Sequence, residues 1–218
     1  MSSFPNSPKL IKSGIVLIDP NTGTVLRVIP LQYNPDTLSR TLQIHGTSEG
    51  GDRLDALRLT GPPAETIKLE AEIDATDQLE FADQNQTIVE LGLHAQLAAL
   101  ETIVYPESAR LQANNSLAQS GTLEIAPAEE PLTLFIWSKN RVLPVRLTEF
   151  TVTEEAFDPA LNPIRAKISL GMRVLNVNDL PFDHKGSSLF LAYQQQKENL
   201  AKKMPGATLN VLGITRIP

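Results

Sequence analysis

Ile164-Arg165-Ala166-Lys167-Ile168-Ser169-Leu170-Gly171-Met172-Arg173-Val174 is the stretch that decides the fold class. Every even position is apolar and every odd one is polar or Gly. Eleven residues of unbroken period two read as a long half-buried strand, because successive side chains of a strand point to opposite faces. One face is suited to a core; the other carries Arg165, Lys167 and Arg173 towards water or a partner. The same alternation recurs upstream, where Ile67, Leu69, Ala71 and Ile73 interleave with Lys68, Glu70 and Glu72. This second polar face is mostly acidic. Were the two strands neighbours, Glu70 and Glu72 would pair with Arg165 or Lys167, at about 0.2–1 kcal/mol each; complementarity across a subunit boundary would serve equally well.

Working outward, Leu132–Trp137 and Val142–Thr153 read as a hairpin joined by Ser138-Lys139-Asn140-Arg141. Val145 and Leu147 share one parity while Phe150 and Val152 take the other, so the apolar face slips by one residue. A β-bulge near Thr148 or Glu149 restores it. Glu154–Pro163, with Phe157-Asp158-Pro159 at its centre, reads as the connection to the long strand. Near the start, Gly14–Ile18 and Thr24–Tyr33 form a second hairpin around the turn formers Asp19–Gly23. Pro35 holds Asn34 extended, and Ser39–Ile44 resumes as a strand.

Between these strands, Asp83–Val104 reads as one helix with Val89, Leu93, Leu97, Leu100 and Val104 on a single face, stopped by Pro106. Gly46–Pro63, around Asp52 and Arg53, and Glu107–Pro131 read as long surface loops of the kind that serve contacts. Leu189–Met204 reads as a polar helix with Phe190, Tyr193, Leu200 and Met204 roughly on one stripe. The expected organisation is a flexible arm over residues 1–13, a mainly β (α+β) domain over 14–182, and a C-terminal helix and tail over 183–218.

Composition narrows the function. With 218 residues and 41% hydrophobic content the chain has enough apolar material for a sizeable core. No Cys is present, which removes disulfides, thiolate metal sites and Cys nucleophiles. A net charge of −6 lacks the clustered Lys and Arg of a nucleic-acid footprint, so no nucleic-acid partner is expected. The absence of a long apolar run and of a signal-peptide pattern predicts cytoplasmic synthesis and no direct membrane insertion.

Catalytic signatures are missing. His45, His94 and His184 fall on separate predicted elements and at no metal-ligand spacing. Glu154, Glu155 and Asp158 are poorly placed as an acid–base pair, since adjacent strand residues face opposite sides. There is neither a nucleophile elbow nor a phosphate loop. The expectation is a non-enzyme without cofactor or metal, with a small-ligand-binding or hydrolytic β-barrel as the rival class.

Several motifs carry a resemblance. Leu31-Gln32-Tyr33-Asn34-Pro35-Asp36-Thr37-Leu38-Ser39-Arg40, Gly61–Ile67, Leu97–Glu101, Asn140-Arg141-Val142-Leu143-Pro144-Val145-Arg146 and Glu154–Arg165 resemble the tube-type proteins of contractile injection systems, phage-tail-like particles, over roughly residues 10–182. Among these the chain is most similar to the adaptor joining the inner tube to the central spike. The resemblance implies a tail-tube-like β-barrel or sandwich with one flanking helix, a homo-hexameric ring, and as partners the inner tube protein, the trimeric spike protein and baseplate components. The particle is released or membrane-anchored. Many adaptors continue into a LysM module; only about 36 residues follow Pro181 here and they read as helix plus tail. The repeating tube protomer is the alternative within the class. Expected contact residues are Tyr33, Asn34, Pro35, Asp52, Arg53, Glu70, Glu72, Arg141, Phe157, Asp158, Arg165, Lys167 and Arg173.

Overall fold

The computed structural model describes residues 11–45, 59–121 and 130–217. Its strands are β1 (Gly14–Ile18), β2 (Val25–Pro30), β3 (Leu38–Gln43), β4 (Ala64–Asp74), β5 (Leu132–Ser138), β6 (Arg141–Phe157) and β7 (Pro163–Val174). All pair antiparallel in one seven-stranded sheet of order β2-β1-β5-β6-β7-β4-β3. The mainly β class is as expected. Among the described residues the sheet is open, however: β2 and β3 form its two edges and do not pair with each other, so the expected barrel is not closed by these strands.

The period-two reading fixes the register. On β7, Ala166, Ile168, Leu170, Met172 and Val174 are buried, while Arg165 and Lys167 are exposed. On β4, Ile67, Leu69, Ala71 and Ile73 are buried and face the same way, because Ile67 pairs with Met172, Leu69 with Leu170 and Ala71 with Ile168. A one-residue slip would turn both apolar rows outward, which is why such strands hold their register. At about 1.5–3 kcal/mol for each fully buried Ile or Leu, this shared row is a large part of the core. The bulge is present where parity demands it: the β6–β7 register shifts between Leu147 and Glu149, returning Phe150 and Val152 to the core side. β6 also runs four residues further than expected, to Phe157, so that Glu154–Phe157 is strand rather than connection.

The helical segment differs from the single helix expected. It comprises α1 (Thr76–Leu79), a 3-10 turn at Ala82–Gln84, α2 (Gln86–Leu91) and α3 (His94–Glu101). The break falls at Gly92, whose φ is 54°, and a Cβ there would lie 2.5 Å from the Pro163 carbonyl oxygen. Leu93 N–H then donates to that same carbonyl at 2.9 Å instead of continuing the helix. Leu93, Leu97 and Leu100 enter the core, but Val89 and Val104, beyond the break and past the end of α3, are each 44% exposed. Residues 107–131 are not simply a loop: α4 (Ser108–Gln119) occupies their first half, without a buried residue.

The last helix, α5 (Lys185–Ala201), starts four residues before the expected position, where the His184 side chain accepts from Gly186 N–H. Gly186, Ser187, Phe190 and Tyr193 are buried, whereas Leu200 and Met204 are exposed. Phe190 and Tyr193 join the main core, and Leu189 packs beside a small second cluster of Val16, Ile18, Leu132 and Leu134. That second cluster explains why β1 is buried on both faces.

Candidate assembly surface

The outward face of β6, β7 and β4 is a charge lattice. Register places Glu155, Arg165 and Asp74 in one row, Thr153, Lys167 and Glu72 in the next, and Thr151, Ser169 and Glu70 in a third. Arg165 bonds Asp74 at 2.8 Å and approaches Glu72 at 3.6 Å; Lys167 bonds Glu155 at 2.9 Å. The cationic strand is thus flanked by acidic ones, and the free basic face expected from β7 alone is largely neutralised within the protomer. The Glu70 and Glu72 pairing expected across strands holds for Glu72, while Glu70 lies opposite Ser169.

These contacts shift proton affinities in the directions charge predicts. Hydrogen bonding to Asp74 raises the Arg165 guanidinium above its ordinary range, and Glu155 does the same for Lys167. Partial burial favours the neutral form of Asp74, yet donors from Thr76 and Arg165 outweigh it and hold the carboxyl below the usual carboxylate range.

A further row shows how β7 was cut to fit. Lys68 on β4 and Glu149 on β6 both lie opposite Gly171, and their side chains meet across it at 2.7 Å. A Cβ on Gly171 would stand 2.8 Å from that of Glu149. The missing side chain lets two strands that do not touch pair over the one between them.

The segment after β2 overhangs this lattice. Gln32 places its side-chain amide against the end of β4, donating to the Asp74 carbonyl at 2.7 Å and accepting from the Asp74 N–H at 2.9 Å. Asn34 accepts from Ser13 N–H at 2.9 Å and donates to the Ile11 carbonyl at 2.8 Å. Held in this way, Tyr33, Asn34 and Pro35 line a groove of about 560 Å³ together with Glu70, Glu72 and Lys167. Six of the expected contact residues therefore share one outward site.

The other expected residues are dispersed. Arg165 is in the neighbouring row, and Arg173 bonds Asp179 at 2.6 Å. Arg141 opens β6, opposite Ser138. Phe157 and Asp158 begin the tip of the β6–β7 hairpin, where one Asp158 oxygen accepts from Ala160 and Asn162 N–H, each at 2.8 Å, and the other from the Asn162 amide at 2.8 Å. Those Asn162 bonds, aided by Ala160, keep the Asp158 carboxyl below its ordinary range. Asp52 and Arg53 lie outside the described residues.

Two features escaped the sequence reading. Glu65, only 3% exposed at its side chain, receives Arg40 at 2.8 Å and Lys197 at 3.1 Å. Its parity with Ile67 and Leu69 is the signal that would have pointed it inward. The second is β2, an edge strand whose Val25, Leu26 and Val28 are each more than half exposed. Among the described residues no group of His, Asp or Glu is arranged to hold a metal ion, and no helix is long and apolar enough to cross a membrane.

No protein-family model matches the chain, and no curated protein matches it. Among solved structures, a chain of "Tail of empty GTA particle computed with helical refinement, C6 symmetry" aligns at 10% identity, covering 75% of this chain and 90% of that one with a TM-score of 0.30. A chain of "Virion of native gene transfer agent (GTA) particle" aligns at 9% identity, covering 74% and 90%, with a TM-score of 0.27. Similarity at that level decides nothing for this protein, whose function rests on its own residues and surface.

Proposed function

We propose that the chain is a structural component of a phage-tail-like contractile injection particle, forming a hexameric adaptor ring between the inner tube and the central spike and baseplate. The carrying observation is the open sheet, one edge of which, β2, exposes Val25 at 56%, Leu26 at 55% and Val28 at 60%. An apolar edge with no strand partner among the described residues is a template for another chain, and soluble proteins ordinarily blunt it with charge or Pro. Only Arg27 and the terminal Pro30 do so here. Copies related by a rotation would cover these edges in turn, and a head-to-tail contact of this kind closes into a ring. The sequence resemblance supplies the choice of adaptor over other rings, with Tyr33, Asn34, Pro35, Glu70, Glu72 and Lys167 as the groove for a neighbour or spike.

The test is to tag the chain in its native host, purify what accompanies it and image the product by negative stain. The reading expects contractile particles carrying the tag at one level between tube and baseplate. Tag repeated along the tube length would make it the tube protomer, and a tagged chain in no particle would end the proposal.

A further inference from the structure

The tip of the β6–β7 hairpin has a property that folding does not require. Leu161 sits at φ 67° and is 76% exposed, and Phe157 at its base is 50% exposed. A branched side chain in the left-handed region costs free energy, and such strain persists where the surroundings fix it. Here they do: the Asp158 carboxylate ties Ala160 and Asn162, Leu161 N–H donates to the Asp158 carbonyl at 2.9 Å, and the Asn162 amide donates to the Glu90 carbonyl at 3.2 Å. The result is a rigid knob holding a large apolar group in solvent.

The molecule also has a socket. Between β2 and α3 runs a groove of about 420 Å³ lined by Ile29, Leu31, Ile73, Ala99 and Leu100, with Lys12 and Arg27 also on its wall. Arg27 bonds only neutral oxygens, Thr102 Oγ1 at 2.7 Å and the Ala99 carbonyl at 3.5 Å. Neither cation has an ion-pair partner among the described residues. Glu90, whose carbonyl the tip bonds, is exposed and likewise has no ion pair among the described residues. Each surface thus joins apolar area to an unpaired charge, Glu90 beside the knob and Lys12 and Arg27 on the wall of the socket.

The knob does not fill the socket of its own protomer. Along α3, Leu93, Leu97 and Leu100 are buried in the core. The knob lies against Gly92 and Leu93 at the start of α3, where Asn162 and the Pro163 carbonyl meet them, and Ala95 and Ala99 line the socket. Leu161, 76% exposed, is not among the residues lining that groove, so one protomer presents knob and socket as separate patches.

We propose that the Asp158–Asn162 tip of one protomer seats Leu161 in the β2–α3 groove of a second copy of this chain. The inference rests on the assembly reading and names the contact within it. Because knob and socket are different patches, the contact is heterologous and propagates until the rotation closes.

The chain has no Cys, so single thiols report cleanly. Leu161→Cys and Ala99→Cys variants of the full chain are mixed under mild oxidant, alone and together. The expected result is a disulfide dimer in the mixture only, and a ladder from the double variant. Leu161→Asn, a residue tolerant of positive φ, should keep the native circular dichroism while weakening association roughly tenfold, as loss of a central apolar anchor does. Self-association without any 161–99 crosslink, or undiminished in Leu161→Asn, would overturn the knob and leave the ring reading standing. A wild-type chain that stays monomeric at all concentrations would overturn both.

Discussion

Arg40 Nε lies 2.8 Å from Glu65 Oε1, and the two come from neighbouring strands, on the side of the sheet that otherwise holds its apolar core. The pair is completed from a distant part of the chain: Lys197 on α5 reaches the other Glu65 oxygen at 3.1 Å, and Tyr193 donates to Glu65 Oε1 at 3.5 Å. Lys197 also stands 4.1 Å over the Tyr193 ring. A buried carboxylate so ringed helps to fix where α5 docks, since any other position would strip Glu65 of Lys197 and Tyr193 and leave one of its oxygens without an ion-pair partner.

Replacing Glu65 by Gln should therefore cost about 3 kcal/mol, the lower end for breaking a buried pair, because Arg40 keeps part of its hydration. Urea unfolding measures the loss. Hydrogen exchange should show the loss of protection concentrated in α5. A cost below about 0.5 kcal/mol would mean that the helix is held by Phe190 and Tyr193 packing alone.

The notch at Gly171 makes a coupled prediction. Gly171→Ala puts a Cβ against Glu149 and into the path of the Lys68 bond, and should destabilise by about 1–3 kcal/mol as overpacking does. Glu149→Gly, which removes the Cβ that the new methyl would meet, loses an exposed ion pair and should carry on its own only the ordinary cost of a strand glycine, about 0.5–1 kcal/mol. The double variant should then be more stable than the sum of the two single changes implies. Additivity in a double-mutant cycle would remove the close-approach account.

Acid should act through Asp74 and Asp158. Both carboxyls sit below their ordinary value in the folded chain, so folding favours their charged form. Their stabilisation is complete above the unfolded carboxyl pKa, about 3.9, and fades as pH falls through the lower folded values. The thermal midpoint should be flat from neutral pH down to about 5 and then fall. Asp74→Asn should lower the plateau and flatten the fall, because Asn cannot pair with Arg165. A midpoint that rose on acidification would have the wrong sign.

How far the sequence disclosed this structure depended on whether a signal was periodic or local. The β7 and β4 rows were legible because eleven and seven residues of alternation admit one register, and the Thr148 bulge followed from parity. Glu154–Phe157 reads as connection because Glu154 and Glu155 look like solvent residues, yet Glu155 serves Lys167 across the strands. The helix break at Gly92 was hidden because its cause is tertiary: the Pro163 carbonyl, seventy-one residues away, occupies the space a side chain would need. The open sheet is tertiary in the same sense, because strand pattern states which side is buried and not whether the outer strands meet. Of the surface, the loop around Tyr33 and the acidic row were found from motif and charge. The β2 edge was missed because alternation judges Val25, Leu26 and Val28 only as core candidates.

Mass measurement of the purified chain tests the central claim most directly. Light scattering across a concentration series, with single-particle imaging of the same sample, should give a closed ring of about six times the 23.8 kDa protomer mass, lost when the β2 edge is charged by Val28→Lys. A particle that stays at 23.8 kDa at every concentration, with β2 amides exchanging as freely as an unpaired edge, would contradict it.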